Sequence, residues 1–122
     1  MDDKKTVLVV DDTPENIDIL VGVLGESYKV KAAPSGEKAL KSASKKPPDL
    51  ILLDIMMPEM DGYQVCEQLK ANPVTADIPV VFVTGMTENA DQEKGMAMGA
   101  RGYLTKPVEA EKVIAMVGEI LS

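Results

Sequence analysis

Histidine does not occur anywhere in the 122-residue chain. Its absence rules out His-based catalytic triads, His-ligated zinc and any phosphohistidine intermediate carried by the chain itself. Cysteine occurs once, as Cys66, so no internal disulfide can form. Set between Val65 and Leu69 in a helix-like stretch, it reads as a small core residue rather than a reactive thiol. Positive charge is scarce: 13 lysines and arginines against 20 aspartates and glutamates give a net charge of -7, which opposes non-specific attraction to nucleic acid or anionic lipid. Direct nucleic-acid binding is therefore not expected. No apolar run approaches the ~20 residues that a bilayer-crossing helix needs, and the acidic start Met1-Asp2-Asp3-Lys4-Lys5 is unlike a signal peptide. A cytoplasmic protein without membrane contact is the expectation.

What the chain does contain is a series of short apolar runs with polar ends. Its length suits one compact domain, taken as residues 1–122, with no output domain expected after Leu121-Ser122. The runs at 6–10, 50–53 and 78–83 are rich in Val, Ile and Leu and nearly unbroken, as expected for parallel strands covered on both faces. Tyr28-Lys29-Val30-Lys31-Ala32 alternates instead, and strand lysines commonly guard an exposed sheet edge. The very short Gly102-Tyr103-Leu104 suits the opposite edge.

Helical patterns separate these strands. Ile17, Leu20, Val21 and Leu24 follow helical spacing after Thr13-Pro14, and Val113, Ile114, Val117, Ile120 and Leu121 do so near the C-terminus. Lys45-Lys46-Pro47-Pro48 stops a second helix, and a third opens at Asp61-Gly62 and ends near Ala71, before Asn72-Pro73. A fourth, from Thr87 to about Met98, contains Gly95 and ends at Gly99, so it is expected to be the weakest. Five β-α units with strands two and five at the edges predict a doubly wound, flavodoxin-like α/β fold with strand order 2-1-3-4-5 and five flanking helices.

Strands of a parallel sheet end at one edge, where open α/β sheets bind ligands. Here Asp11 and Asp12 close the first strand, Asp54 the third and Thr84 the fourth, while Lys106 follows the fifth. Three carboxylates, a hydroxyl and an ammonium would meet in one cleft, a combination that suits a divalent cation and a phosphoryl group. Each residue has a plainer explanation. Asp12 could cap the first helix, Thr84 a loop, Lys106 could be a solvated charge and Tyr103 edge packing. All of these would have to hold together at the ends of four strands.

The pieces Val9-Val10-Asp11-Asp12, Leu53-Asp54-Ile55-Met56-Met57-Pro58-Glu59-Met60-Asp61-Gly62, Val83-Thr84-Gly85 and Tyr103-Leu104-Thr105-Lys106-Pro107 closely resemble the receiver domain of two-component response regulators. The resemblance runs over essentially the whole chain. It implies that Asp54 is the phospho-acceptor, taking its phosphoryl group from a sensor histidine kinase or phosphotransfer protein. It implies further that Asp11, Asp12, Asp54 and the Met56 backbone carbonyl hold Mg2+, with Asp11 acting mainly through water, and that Lys106 and Thr84 stabilise the phosphoryl oxygens. Thr84 and Tyr103 would form the switch pair, and a cis Lys106-Pro107 bond would aim the lysine. Most X-Pro bonds are trans, so the residues alone would predict the opposite isomer.

The face made by helix four, strand five and helix five would then meet a downstream protein or a second copy. Val108 and Arg101-Gly102 depart from common family residues near strand five, and Thr13-Pro14-Glu15-Asn16 resembles receivers of hybrid kinases and of regulators with enzymatic outputs. On this reading the only catalysis is Mg2+-dependent phosphorylation and dephosphorylation of the chain's own Asp54. One alternative is an aspartyl-phosphate phosphotransferase or phosphatase acting on outside substrates, which generally needs an acid two residues after the nucleophile, where this chain has Met56. Another is a degenerate receiver used as a scaffold, against which the full acidic set and Lys106 argue.

Overall fold

The computed structural model describes residues 4–85 and 89–121. Strands β1 (Thr6–Val10), β2 (Lys29–Ala33), β3 (Leu50–Asp54), β4 (Val80–Thr84) and β5 (Gly102–Thr105) alternate with helices α1 (Pro14–Leu24), α2 (Gly36–Lys45), α3 (Gly62–Ala71), α4 (Asn89–Ala97) and α5 (Ala110–Leu121). The strands form one parallel sheet of order β2-β1-β3-β4-β5, as the edge and crossover arguments predict. Every helix must run back against the sheet to start the next parallel strand. Helix N-termini therefore gather at the edge where the strands end.

Alternate residues of each central strand feed two cores. Leu8, Val10, Ile51, Leu53, Val80 and Phe82 face the side covered by α2 and α3, against Ala39, Ala43, Val65, Cys66 and Leu69. Val7, Val9, Leu50, Leu52, Val81 and Val83 face α1 and α5, against Leu20, Leu24, Val113 and Val117. Burial on both faces explains why these strands read as unbroken apolar runs. Cys66 is buried in the first core, and burial raises its thiol pKa, which leaves it protonated and inert.

The structure corrects several details. The inward stripe of α1 is Ile17, Leu20 and Leu24, while Val21 is 39 % exposed; on α5, Ile114 is 51 % exposed beside buried Val113. Both strays follow a buried neighbour directly, and one residue turns the helix by about 100°, past the edge of the buried face. The second strand is shifted by one residue relative to the alternating run, from Tyr28 to Lys29 at its start and from Ala32 to Ala33 at its end. The expected start of the fourth helix at Thr87 lies outside the described residues. Gly95 is more than a weak point in α4: it is buried, and a Cβ there would stand 2.8 Å from Phe82 Cδ2 and 3.1 Å from Cε2. Gly99, at φ +98°, ends the helix in the left-handed conformation that glycine tolerates.

Candidate functional site

The cleft is assembled by register. Val10 pairs with Leu53, so Asp11 leaves β1 beside Asp54, the last residue of β3. Thr84 pairs with Thr105, and the Lys106 N–H donates to the Thr84 carbonyl at 2.7 Å, bringing the lysine to the same edge. The Lys106-Pro107 peptide bond is cis. Carboxylate oxygens of Asp11, Asp12 and Asp54 all lie within 4.8 Å of one another. Asp11, Asp54 and Thr84 are buried, whereas Asp12 is exposed.

Asp12 does not cap α1. Thr13 occupies the cap position without a side-chain cap bond, and it is Asp11 Oδ1 that accepts the Thr13 N–H at 2.9 Å. Asp11 therefore anchors the start of the first helix with one oxygen and meets Lys106 Nζ with the other at 3.1 Å. Asp54 Oδ1 stands 3.2 Å from the same ammonium. That contact is a charge pair rather than a well-directed hydrogen bond, so a fully buried oxygen keeps its lone pairs available.

Burial, then the negative charge of Asp11, pushes the Asp54 carboxyl up to about 6, although the Lys106 ammonium and the Met56 backbone N–H pull the other way. Burial also works against the charge on Lys106, but Asp11 and Asp54 together outweigh it and hold the lysine pKa above its ordinary value. Three clustered carboxylates and a single ammonium leave an excess of negative charge and a buried oxygen without a directed donor. Hard oxygen donors in this arrangement fit a divalent cation such as Mg2+, which also keeps several waters. The cluster could hold such an ion.

Three features around Asp54 go beyond what the sequence reading gives. Asp61 and Gln64 form a reciprocal capping box at the start of α3: Gln64 N donates to Asp61 Oδ1 at 2.9 Å and Asp61 N to Gln64 Oε1 at 3.0 Å. The Asp-x-x-Gln spacing carries that signal. Gly62 N donates to the Ile55 carbonyl at 2.9 Å, and a Cβ on Gly62 would overlap the Asp54 carbonyl oxygen. Between these points Met60 N donates to the Pro58 carbonyl at 2.8 Å around Glu59, whose φ of 69° is unusual for a residue with a side chain. Nothing in the residue type at position 59 announces that turn.

Comparison with known proteins agrees with this fold. The profile of the response regulator receiver domain matches residues 7–118. The chain is 35 % identical over 117 residues to Protein PilH of Pseudomonas aeruginosa, covering 95 % of this chain and 97 % of that protein. It is 48 % identical over 103 residues, 84 % of its length, to a probable cyclic di-GMP phosphodiesterase of Vibrio cholerae. With the response regulator PleD of Caulobacter vibrioides it shares 44 % identity over 112 residues, 91 % of its length. The chain spans only about a quarter of each of these two longer relatives, 23 % and 25 %. Among solved structures, a putative response regulator from Chloroflexus aurantiacus superposes with a TM-score of 0.91 at 34 % identity, covering 97 % of this chain and 98 % of that one. The chemotaxis protein CheY4 of Vibrio cholerae gives 0.91 at 28 % identity, covering 97 % and 99 %. The chain belongs to the response regulator receiver domain family.

Proposed function

We propose that the chain is a phosphorylation-controlled switch that accepts a phosphoryl group on Asp54 from a phosphohistidine of a sensor kinase or phosphotransfer protein. The observation that carries this reading is the Asp54 carboxylate itself: buried at the strand-end edge, 3.2 Å from Lys106, with carboxylate oxygens of Asp11 and Asp12 within 4.8 Å. A carboxylate is a weak nucleophile, so positioning and charge neutralisation must do most of the work. An Asp54 oxygen forms the new O–P bond as the P–N bond of the donor breaks, and the electron pair returns to the imidazole nitrogen, which takes up a proton. Because these 122 residues contain no histidine, the donor lies outside them.

Asp11, Asp12, Asp54 and the Met56 carbonyl are the residues that would hold Mg2+, which when bound supplies positive charge to a phosphoryl oxygen. Lys106 supplies charge to a second oxygen as a movable point cation, and Thr84 a hydroxyl hydrogen bond to the third. Thr84 is fully buried, so it reaches that oxygen by a local shift, and half-buried Tyr103 on neighbouring β5 follows it. Phosphorylation then shifts the balance between two nearby conformations, read by a protein partner or a second copy at the face of α4, β5 and α5. A cavity of about 440 Å³ between β5 and α5, lined by Tyr103, Leu104 and Met116 among others, gives that face a recess. Action on outside substrates is disfavoured because position 56 offers an exposed thioether and no acid.

Intact-mass measurement after incubation with Mg2+ and a small phosphodonor tests the assignment. One added phosphoryl group is expected, lost in Asp54→Ala and in excess EDTA; persistence of the label in either case overturns it.

A further inference from the structure

The acidic character of the chain is unevenly spread. Residues 29–46 carry six lysines, Lys29, Lys31, Lys38, Lys41, Lys45 and Lys46, and one acid, Glu37, a local charge of +5. Taking these seven charges out of the net -7 leaves -12 on the remainder.

Folding gathers five of these lysines on one side of the molecule. Lys29 and Lys31 stand four and two residues before Ala33, which packs into the core beneath α2 and α3, so both project from that same face of the edge strand. On α2, Lys38, Lys41 and Lys45 recur at helical spacing, turned away from buried Gly36, Ala39 and Ala43. The Lys41–Glu37 pair at 3.5 Å is largely exposed on both sides and cancels little of the field. Edge-strand lysines discourage unwanted strand pairing, which accounts for Lys29 and Lys31. It does not account for the lysines of α2.

A groove of about 380 Å³ lies beside this stripe, between α2 and α3. Buried Leu69 and half-buried Leu40 form its floor, and exposed Lys41, Ser44 and Gln68 its rim. A lipid surface or a nucleic-acid backbone would meet the lysines and leave the groove unfilled. An acidic peptide with an apolar side chain uses both.

We propose that the α2–α3 face docks an acidic segment of a partner protein, its apolar side chain in the groove and its carboxylates against Lys38, Lys41 and Lys45. The groove is lined by the C-terminal halves of α2 and α3, including Ser44 and Ala71, and by Asn72 just past the end of α3. Because the helices run against the strands, it lies toward the opposite edge of the sheet from Asp54. Docking therefore leaves the phosphoryl cleft open and works as a tether independent of phosphorylation.

The test titrates the full chain with a fluorescent peptide of glutamates interrupted by two leucines, followed by backbone NMR. Saturable binding is expected, with shifts concentrated in the C-terminal halves of α2 and α3. Combined Lys38→Glu, Lys41→Glu and Lys45→Glu should weaken it by about tenfold or more. Ser44→Trp, which fills the groove without changing charge, should weaken it as well. Both variants should still take one phosphoryl group from a small phosphodonor, showing an intact fold, and the peptide should bind the Asp54→Asn chain equally well. Absence of saturable binding overturns the proposal, as does equal affinity for a leucine-free glutamate peptide. Tighter, lysine-dependent binding of phosphatidylserine vesicles or an oligonucleotide would assign the patch to lipid or nucleic acid instead. Failure of Asp54 labelling would overturn the function above and leave this result untouched.

Discussion

Asp11 and Asp54 share one cation: Lys106 Nζ lies 3.1 Å from Asp11 Oδ2 and 3.2 Å from Asp54 Oδ1, with both carboxylates buried. Two negative charges meet one positive charge away from solvent. The balance is unfavourable for full ionisation, and the metal-free protein should show it.

The first consequence concerns pH. The folded chain holds the Asp54 proton up to about pH 6, whereas an aspartate carboxyl at its ordinary value of 3.8 releases it earlier. Asp54 thus contributes most to stability below the lower value, and that contribution is lost as pH rises through the window. The total is ~3 kcal/mol. In EDTA, Asp54→Asn should be more stable than the parent by ~1–3 kcal/mol above about pH 7, with the difference vanishing toward about pH 4. Urea denaturation across pH checks this; an equal or less stable variant at neutral pH contradicts it.

Removing the shared cation should act in the opposite direction. Lys106→Met leaves Asp11 and Asp54 facing each other, and in EDTA at neutral pH it should destabilise the protein by ~1–3 kcal/mol. The side chain is 26 % exposed, so water offsets part of the loss. Acidification toward the Asp54 titration should restore stability, and a pH-independent loss would mean that packing of the lysine stem is responsible.

Asp12 is exposed and anchors no helix, so its charge should matter to metal and little else. Mg2+ at saturation should stabilise the chain by ~1–3 kcal/mol. Asp12→Asn should lose most of that gain yet be no less stable than the parent in EDTA. Denaturant melts with and without Mg2+ decide, and a clear loss in EDTA would make Asp12 structural.

Two helical glycines should respond oppositely to alanine. Nothing lies within 4 Å of a Cβ built on exposed Gly22, whereas one on Gly95 stands 2.8 Å from Phe82. Gly22→Ala should stabilise by ~0.5–1 kcal/mol through helix propensity, and Gly95→Ala should destabilise by ~1–3 kcal/mol through overpacking. Thermal melts with matched buffers compare them. Stabilisation of both would show that Phe82 yields freely.

Thr84→Ala should keep phosphorylation at Asp54 but lose its spread. Backbone NMR with a stable phosphoryl mimic should show shifts reaching 93–105 in the parent and confined near Asp54 in the variant. Confinement in the parent would refute the switching route.

Much of this was legible because four of the five strands carry a polar residue at or just past their ends, where chain order and sheet order converge. Val10-Asp11, Leu53-Asp54 and Val83-Thr84 are local transitions from apolar to polar, and the parallel topology brings them together. What escaped depends on distances between elements. Val21 and Ile114 look equivalent to their buried neighbours until the width of the contact is known. Gly95 reads as a helix defect until Phe82 is found beneath it, and Glu59 gives no sign of its positive φ. The lysines of 29–46 were counted in the net charge, where their clustering is invisible.

Gly62 fixes more than a helix start. With its N–H on the Ile55 carbonyl and no room for even a methyl group beside the Asp54 carbonyl, it clamps the peptide that carries Asp54, and the Asp61–Gln64 box holds the clamp shut. The cleft is thereby divided into an anvil, made of β1, β3 and the head of α3, and a hammer across from it on β4 and β5. On the proposed function, Asp54 would react from the half that these contacts hold, and the change would have to leave through the half on β4 and β5.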